Sequence, residues 1–198
     1  MTEFAALIEQ LEAGRFDVIA AGMFITEERA GRVAFSRVTG RVRPGLLVER
    51  GNPHGLHTYA DAVARAGVRL AVLEGSVEER TLLKKGLPAE RLMVVPDAVS
   101  GLALLKTRRV DGLALSQPTV GWMAEQADNR DEVEAASPFT PPQDAGEGRV
   151  AFAFRRGDGR LRRAWDEALA EFLQSDEHRR IAKQFGFETD ALTTEGAR

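Results

Sequence analysis

Arg29 stands in the run Phe16–Ser36, FDVIAAGMFITEERAGRVAFS, where an apolar strand gives way to a helix and then to a second strand. The spacing puts Arg29 in the first turn of that helix, behind Thr26 as its cap. A guanidinium there opposes the helix macrodipole, whose positive end lies at the N-terminus. A cation held against that field points to an anionic ligand, and the planar fork of arginine suits a two-pronged grip on a carboxylate. The plainer reading is a solvated surface cation. Gly22 lets backbone come close to a ligand, and Phe24 offers a ring face to a delocalised cation. Phe24 also fits an ordinary core position. Turn, ring and guanidinium together would hold a small zwitterion at the carboxyl end of a strand.

A second set of polar groups lies in Glu74-Gly75-Ser76-Val77-Glu78-Glu79, a strand-to-helix junction. Backbone N–H groups at that helix start attract anions, and Ser76 with Glu79 has the spacing of a capping box. Glu78 and Glu79 repel a carboxylate and attract a cationic ring. Ser116 closes the strand Gly112–Leu115, and open α/β sheets bind ligands at strand carboxyl ends. The pair His54-x-x-His57 lies in a Pro/Gly loop without further metal-ligand spacing, so no metal or cofactor is expected. Nucleophile-elbow, phosphate-loop and complete dinucleotide fingerprints are absent, and no paired acid and base stands out.

These residues need a scaffold, and the chain is long enough for one. At 198 residues and 43% hydrophobic, it can bury one substantial core or two small ones. A net charge of −3 gives no global attraction for nucleic acid or anionic lipid. The basic cluster Arg155, Arg156, Arg160, Arg162, Arg163 is interrupted by acids and reads as a solvated helix face. With no cysteine there is no disulfide and no lipid-attachment thiol. The acidic first twenty residues do not read as a signal peptide.

Helical spacing covers Thr2–Glu12, and Phe16–Ala21 reads as a buried strand. Val42–Glu49, with Pro44-Gly45, reads as an extended crossing. Strands and helices then alternate to Ala135, which predicts βαβ units and a parallel sheet. Ser137–Gly148 is a Pro/Gly-rich loop. Val150–Arg155 is extended, and two helices follow: Leu161–Leu173, then one capped by Ser175 and ending near Gly186. The expected organisation is one lobe over 49–136 and a second assembled from 1–48 and 137–198. Two such lobes joined by two crossings form a clamshell with ligand in the cleft.

The order strand–AGMFIT–EER–VAFS, then strand–EGS–helix, then PDAVSGLALLKTRRVDGLAL, resembles the extracytoplasmic solute-binding proteins of ABC importers. The polar-amino-acid family, family 3, is the nearest large group. Gly22–Arg29, Pro96–Leu105 and EHRRIAKQFGFETDAL look most like its ectoine/hydroxyectoine-binding branch. The resemblance implies an α/β, type II periplasmic-binding-protein fold and a non-enzymatic role outside the cytoplasm. The implied partners are a small zwitterion and a membrane permease. It assigns Arg29 to the carboxylate, Gly22 to backbone contact, and Phe24 and Phe4 to aromatic walls. Ser76, Glu78 and Glu79 fall where the second lobe closes on the ligand.

Ser116 takes the place of an acid that many amino-acid binders set against an α-ammonium. An ammonium needs a localised carboxylate, whereas a cyclic amidinium spreads its charge over a ring face. Losing the acid beside a gained aromatic favours ectoine over a free amino acid. A polar amino-acid binder is the alternative. Further off is a cyclohexadienyl dehydratase-like enzyme, for which only Glu78 and Glu79 are candidate proton donors. The resemblance further implies that a strand, a helix and a strand precede Thr2 in the family. The first lobe is therefore expected to be incomplete, with open strand edges and uncovered core that invite self-association.

Overall fold

Each apolar run bounded by glycine or by a capping side chain becomes one element. A short 3-10 turn, Phe4–Ala6, precedes α1 (Leu7–Glu12), β1 (Ile19–Phe24), α2 (Glu27–Arg32), β2 (Val33–Phe35), β3 (Gly40–Val42) and β4 (Pro44–Glu49). Then follow α3 (Tyr59–Ala64), β5 (Leu70–Leu73), α4 (Val77–Lys84), β6 (Leu92–Val95), α5 (Ala98–Lys106), β7 (Gly112–Ser116), α6 (Gln117–Glu125) and β8 (Val133–Ala135). The series closes with β9 (Gly148–Arg155), α7 (Gly159–Phe172) and α8 (Asp176–Gln184). This computed structural model describes residues 2–142, 148–185 and 187. The end of the expected C-terminal motif, and Gly186, lie outside them apart from Phe187.

Local chemistry explains the helix starts. Thr26, Thr58, Ser76, Asp97 and Ser175 each accept a backbone N–H three residues on, at 2.7–3.2 Å. Such a cap stabilises a helix by about 1 kcal/mol. The helical run at Thr2–Glu12 divides: its first part is the 3-10 turn, and only Leu7–Glu12 is α-helical.

The chain divides into two units. The central unit takes residues 2–5 and 43–142 of those described, and the flanking unit takes 6–42 and 148–187.

The central unit is a five-stranded sheet in the order β6-β5-β7-β4-β8. Strands β6, β5 and β7 are parallel, as the alternation predicts. The sheet is nevertheless mixed, because β4 runs antiparallel to both β7 and β8. The reason is connectivity: α6 carries the chain from β7 over to β8, and β4 fills the slot between them. Pro44–Glu49, expected as a crossing segment, is therefore an interior strand. The two-residue period of a strand sorts its side chains into two cores. Leu46, Val48, Leu70, Val72 and Ala114 join Tyr59, Ala62 and Leu82 on one face. Leu47, Ala71, Leu113 and Leu115 join Leu105, Val120 and Met123 on the other.

In the flanking unit β9 is the hub: β1 pairs along one side, and β2 and β3 share the other, all antiparallel. Ile19 pairs with Ala153 but Met23 with Ala151, so four steps of β1 face two of β9. Gly22, at φ +58°, sits in that bulge, a conformation glycine adopts without a Cβ penalty. Strand β1 therefore runs on through Met23 and Phe24, past the expected break at Ala21. Phe152 and Phe154 of β9 both pack edge-on to Trp165 of α7, at 5.1 and 5.7 Å between centroids. Arg155 ends β9 by donating to Phe16 O at 2.7 Å and pairing with Asp17 and with Asp158. The hydrogen bond to Asp17, foremost, raises its pKa.

Candidate functional site

Strand β1 and the cap of α2 set the first group of candidate residues. Thr26 Oγ1 accepts the Arg29 backbone N–H at 3.2 Å, which fixes Arg29 in the first turn. Its side chain folds back toward the strand, and Nη1 donates to the Phe24 carbonyl at 3.0 Å. Arg29 is 6% exposed, so this is a buried cation and not a solvated one. Glu27 and Glu28 share its turn and balance the positive end of the helix. A carboxylate meeting Arg29 here would do so with little intervening water, where charge-assisted hydrogen bonds are strongest.

Phe24 is half-buried and closes β1 opposite Val150. Its ring lies over Gly148, the first residue of β9. A Cβ built on Gly148 would stand 1.8 Å from Phe24 Cε1 and 2.2 Å from Cδ1. Gly22 is exposed two residues earlier. The flanking unit thus gathers Gly22, Phe24 and Arg29 at one strand end, as the spacing predicts. Gly148 escapes sequence reasoning, which takes it as the end of a loop. A glycine opening a strand marks a close approach by another group, but not which group makes it.

The central unit holds the other candidates. Ser76 is buried and caps α4; Glu79 accepts from Gly75 N at 2.7 Å while Ser76 N donates to Leu73 O at 3.1 Å, so only half of the expected capping box forms. Glu78 is 5% exposed. Burial, and after it the charge of Glu78, pushes the Tyr59 phenol well above its ordinary pKa. Tyr59 in turn donates to Gly45 O at 3.3 Å. Ser116 ends β7 half-buried, sharing a hydrogen bond with Thr119 Oγ1 at 2.8 Å. Phe4 is half-buried in the 3-10 turn and groups with the central unit. Its neighbour Ala5 lies close to Gly75, 3.8 Å from where a Cβ would sit.

The two loop histidines are engaged separately. His54 Nε2 approaches Asp111 at 3.1 Å, and His57 Nδ1 lies 2.9 Å from Pro138 O. Among the described residues no cluster of three His, Asp or Glu side chains is placed to hold a metal. Among them also, no helix is long and apolar enough to cross a membrane.

With this geometry in view, the sequence matches the family described as bacterial extracellular solute-binding proteins, family 3, over residues 1–188. It is 33% identical over 197 residues to a probable amino-acid ABC transporter periplasmic-binding protein, y4tE, of Sinorhizobium fredii. That alignment covers 97% of this chain and 63% of the relative, so the chain spans less than two-thirds of the relative's length. It is 27% identical over 192 residues to the lysine/arginine/ornithine-binding periplasmic protein of Escherichia coli, covering 93% of this chain and 70% of that one. Among solved structures, the crystal structure of EhuB in complex with hydroxyectoine superposes with a TM-score of 0.83 at 33% identity. The match covers 97% of this chain and 73% of EhuB.

Proposed function

The chain belongs to the bacterial extracellular solute-binding proteins, family 3, with the type II periplasmic-binding-protein fold, and from that premise we propose that it is the substrate-binding component of an ABC importer for a small zwitterionic compatible solute of the ectoine type. The observation that carries the reading is the bond from Arg29 Nη1 to Phe24 O, 3.0 Å long. It ties a carboxylate-binding fork to the residue that supplies an aromatic face. A guanidinium has five N–H donors in a fixed fork, enough to hold a carbonyl and a carboxylate together. Phe24 then faces the delocalised cation of the same ligand. Gly22 adds backbone contact in the flanking unit. The central unit contributes Phe4, the α4 start at Ser76, Glu78 and Glu79, and Ser116 in place of an acid. The role is binding and delivery to a membrane permease outside the cytoplasm, without turnover of the ligand.

Polar amino acids are the second reading, supported by the basic amino acids in the name of the Escherichia coli relative. Calorimetric titration of this chain with ectoine, glutamine and arginine separates the two. Saturable heat with ectoine alone is the expected result. Heat with arginine or glutamine and none with ectoine would overturn the assignment in favour of an amino-acid binder.

We also infer that the flanking unit self-associates through an apolar groove. Its apolar groove of about 660 Å³ is lined by Phe152, Leu161, Trp165, Phe172 and His178 among others. Leu161 and Phe172 are each 40% exposed. Contiguous apolar surface of this kind drives association, and one patch meeting its copy across a two-fold axis closes the assembly. Sedimentation equilibrium is expected to give a dimer that Leu161→Glu returns to monomer. A parent chain that stays monomeric at the highest soluble concentration would end this idea.

A further inference from the structure

We infer that Gly148 is a specificity-determining position, which sets the ring of Phe24 and through it the kind of cation the site accepts; this rests on the binding role proposed above. Phe24 and Val150 are direct partners across β1 and β9. Gly148, two residues before Val150, shares that sheet face, because side chains on a strand alternate. It is therefore the diagonal neighbour of Phe24, a distance within reach of an aromatic ring. On its other side Gly148 pairs with Val42.

The contacts show what the missing side chain permits. A Cβ at position 148 would meet Phe24 Cε1 at 1.8 Å, Cδ1 at 2.2 Å and Cζ at 3.1 Å. The ring edge thus occupies the volume that any other residue would fill with its own Cβ. All three close atoms belong to the far end of a side chain with two rotatable bonds, and none is backbone. A methyl group at 148 is therefore relieved by swinging the ring, with the strands left in place.

Arg29 is anchored differently. It donates to the Phe24 carbonyl, which is main chain, and the next residue is held to β9 by Ile25 N donating to Arg149 O at 2.8 Å. Moving the ring leaves that carbonyl where it is. Gly148 consequently acts on the aromatic half of the site and spares the carboxylate half. Its substitution should change which zwitterion binds, not whether a carboxylate binds.

The test is a double-mutant cycle of Gly148→Ala and Phe24→Ser, titrated with ectoine and with glutamine, whose only cation is a localised ammonium. A correctly placed ring over a delocalised cation contributes roughly tenfold in affinity. Gly148→Ala is expected to weaken ectoine by about that factor and to leave any glutamine affinity within roughly twofold of the parent. In the Phe24→Ser background the same substitution should change nothing, since no ring remains to displace. Equal losses in both backgrounds, equal losses for both ligands, or no loss at all would overturn the assignment. A crystal structure of ligand-free Gly148→Ala reads the ring directly. It should show the ring rotated away over undisturbed β1 and β9, whereas an unmoved ring or a displaced strand refutes the inference. If neither ligand binds the parent chain, the proposed function fails, and this structure decides the role of Gly148 on its own.

Discussion

Arg29→Ala is expected to weaken binding of any carboxylate-bearing ligand by roughly thirtyfold or more, while leaving the chain folded. Removing one partner of a desolvated charge pair costs about 2–5 kcal/mol in affinity, because the other charge is left unmatched. That corresponds to a loss of roughly thirtyfold to several thousandfold. The bond from Nη1 to the Phe24 carbonyl is also lost, and a hydrogen bond of this sort contributes about 1 kcal/mol to folding. The two effects separate in one melting experiment run with and without ligand. Ligand stabilises the native state in proportion to its affinity. The ligand-induced rise of Arg29→Ala should therefore shrink far below that of the parent, whatever the change in its ligand-free midpoint. Arg29→Lys is the sharper variant, since it keeps the charge and loses the fork. Its affinity should fall between parent and Arg29→Ala. An Arg29→Ala protein that binds as tightly as its parent would remove Arg29 from the site.

The parts of this arrangement that sequence reveals are those decided within a few residues. Thr26 and Ser76 cap their helices by contacts three residues away, and Glu79 reaches back only to Gly75. Such rules read directly from spacing, and so does the gathering of Gly22, Phe24 and Arg29 at one strand end. The burial of Glu78 is different. It is produced by elements that pack around α4, including Tyr59 from nineteen positions earlier, and no local pattern encodes it. The direction of β4 is likewise set by its neighbours. Leu46-Leu47-Val48 has the same composition whether it crosses between units or lies between β7 and β8. Gly148 is the extreme case, because its importance comes entirely from a ring 124 positions away in the chain.

Glycine 45 shows how sharply such long-range packing can be tested, through two substitutions of the same type with opposite signs. Gly45 is buried in β4, which has strands on both sides. A Cβ there would stand 2.9 Å from the Gln117 Cα, 3.2 Å from its N and 3.3 Å from Val120 Cγ2. The first two are main-chain atoms at the start of α6, and they are held in place. Gln117 N donates to Arg43 O at 2.8 Å, and Gly45 O receives the Tyr59 hydroxyl. Neither strand nor helix can retreat without breaking one of these bonds. Gly45→Ala is accordingly expected to destabilise the chain by about 2–3 kcal/mol, as overpacking does in cores that cannot give way. Gly121 lies four residues along α6 from Gln117, and nothing stands within 4 Å of its virtual Cβ. There alanine meets open space and gains helix propensity, so Gly121→Ala should stabilise by roughly 0.5–1 kcal/mol. Urea unfolding of the two variants beside the parent measures both signs. Gly45→Ala with the parental midpoint would mean that β4 and α6 are free to separate, and that the close approach of strand to helix is not what orders this end of the sheet.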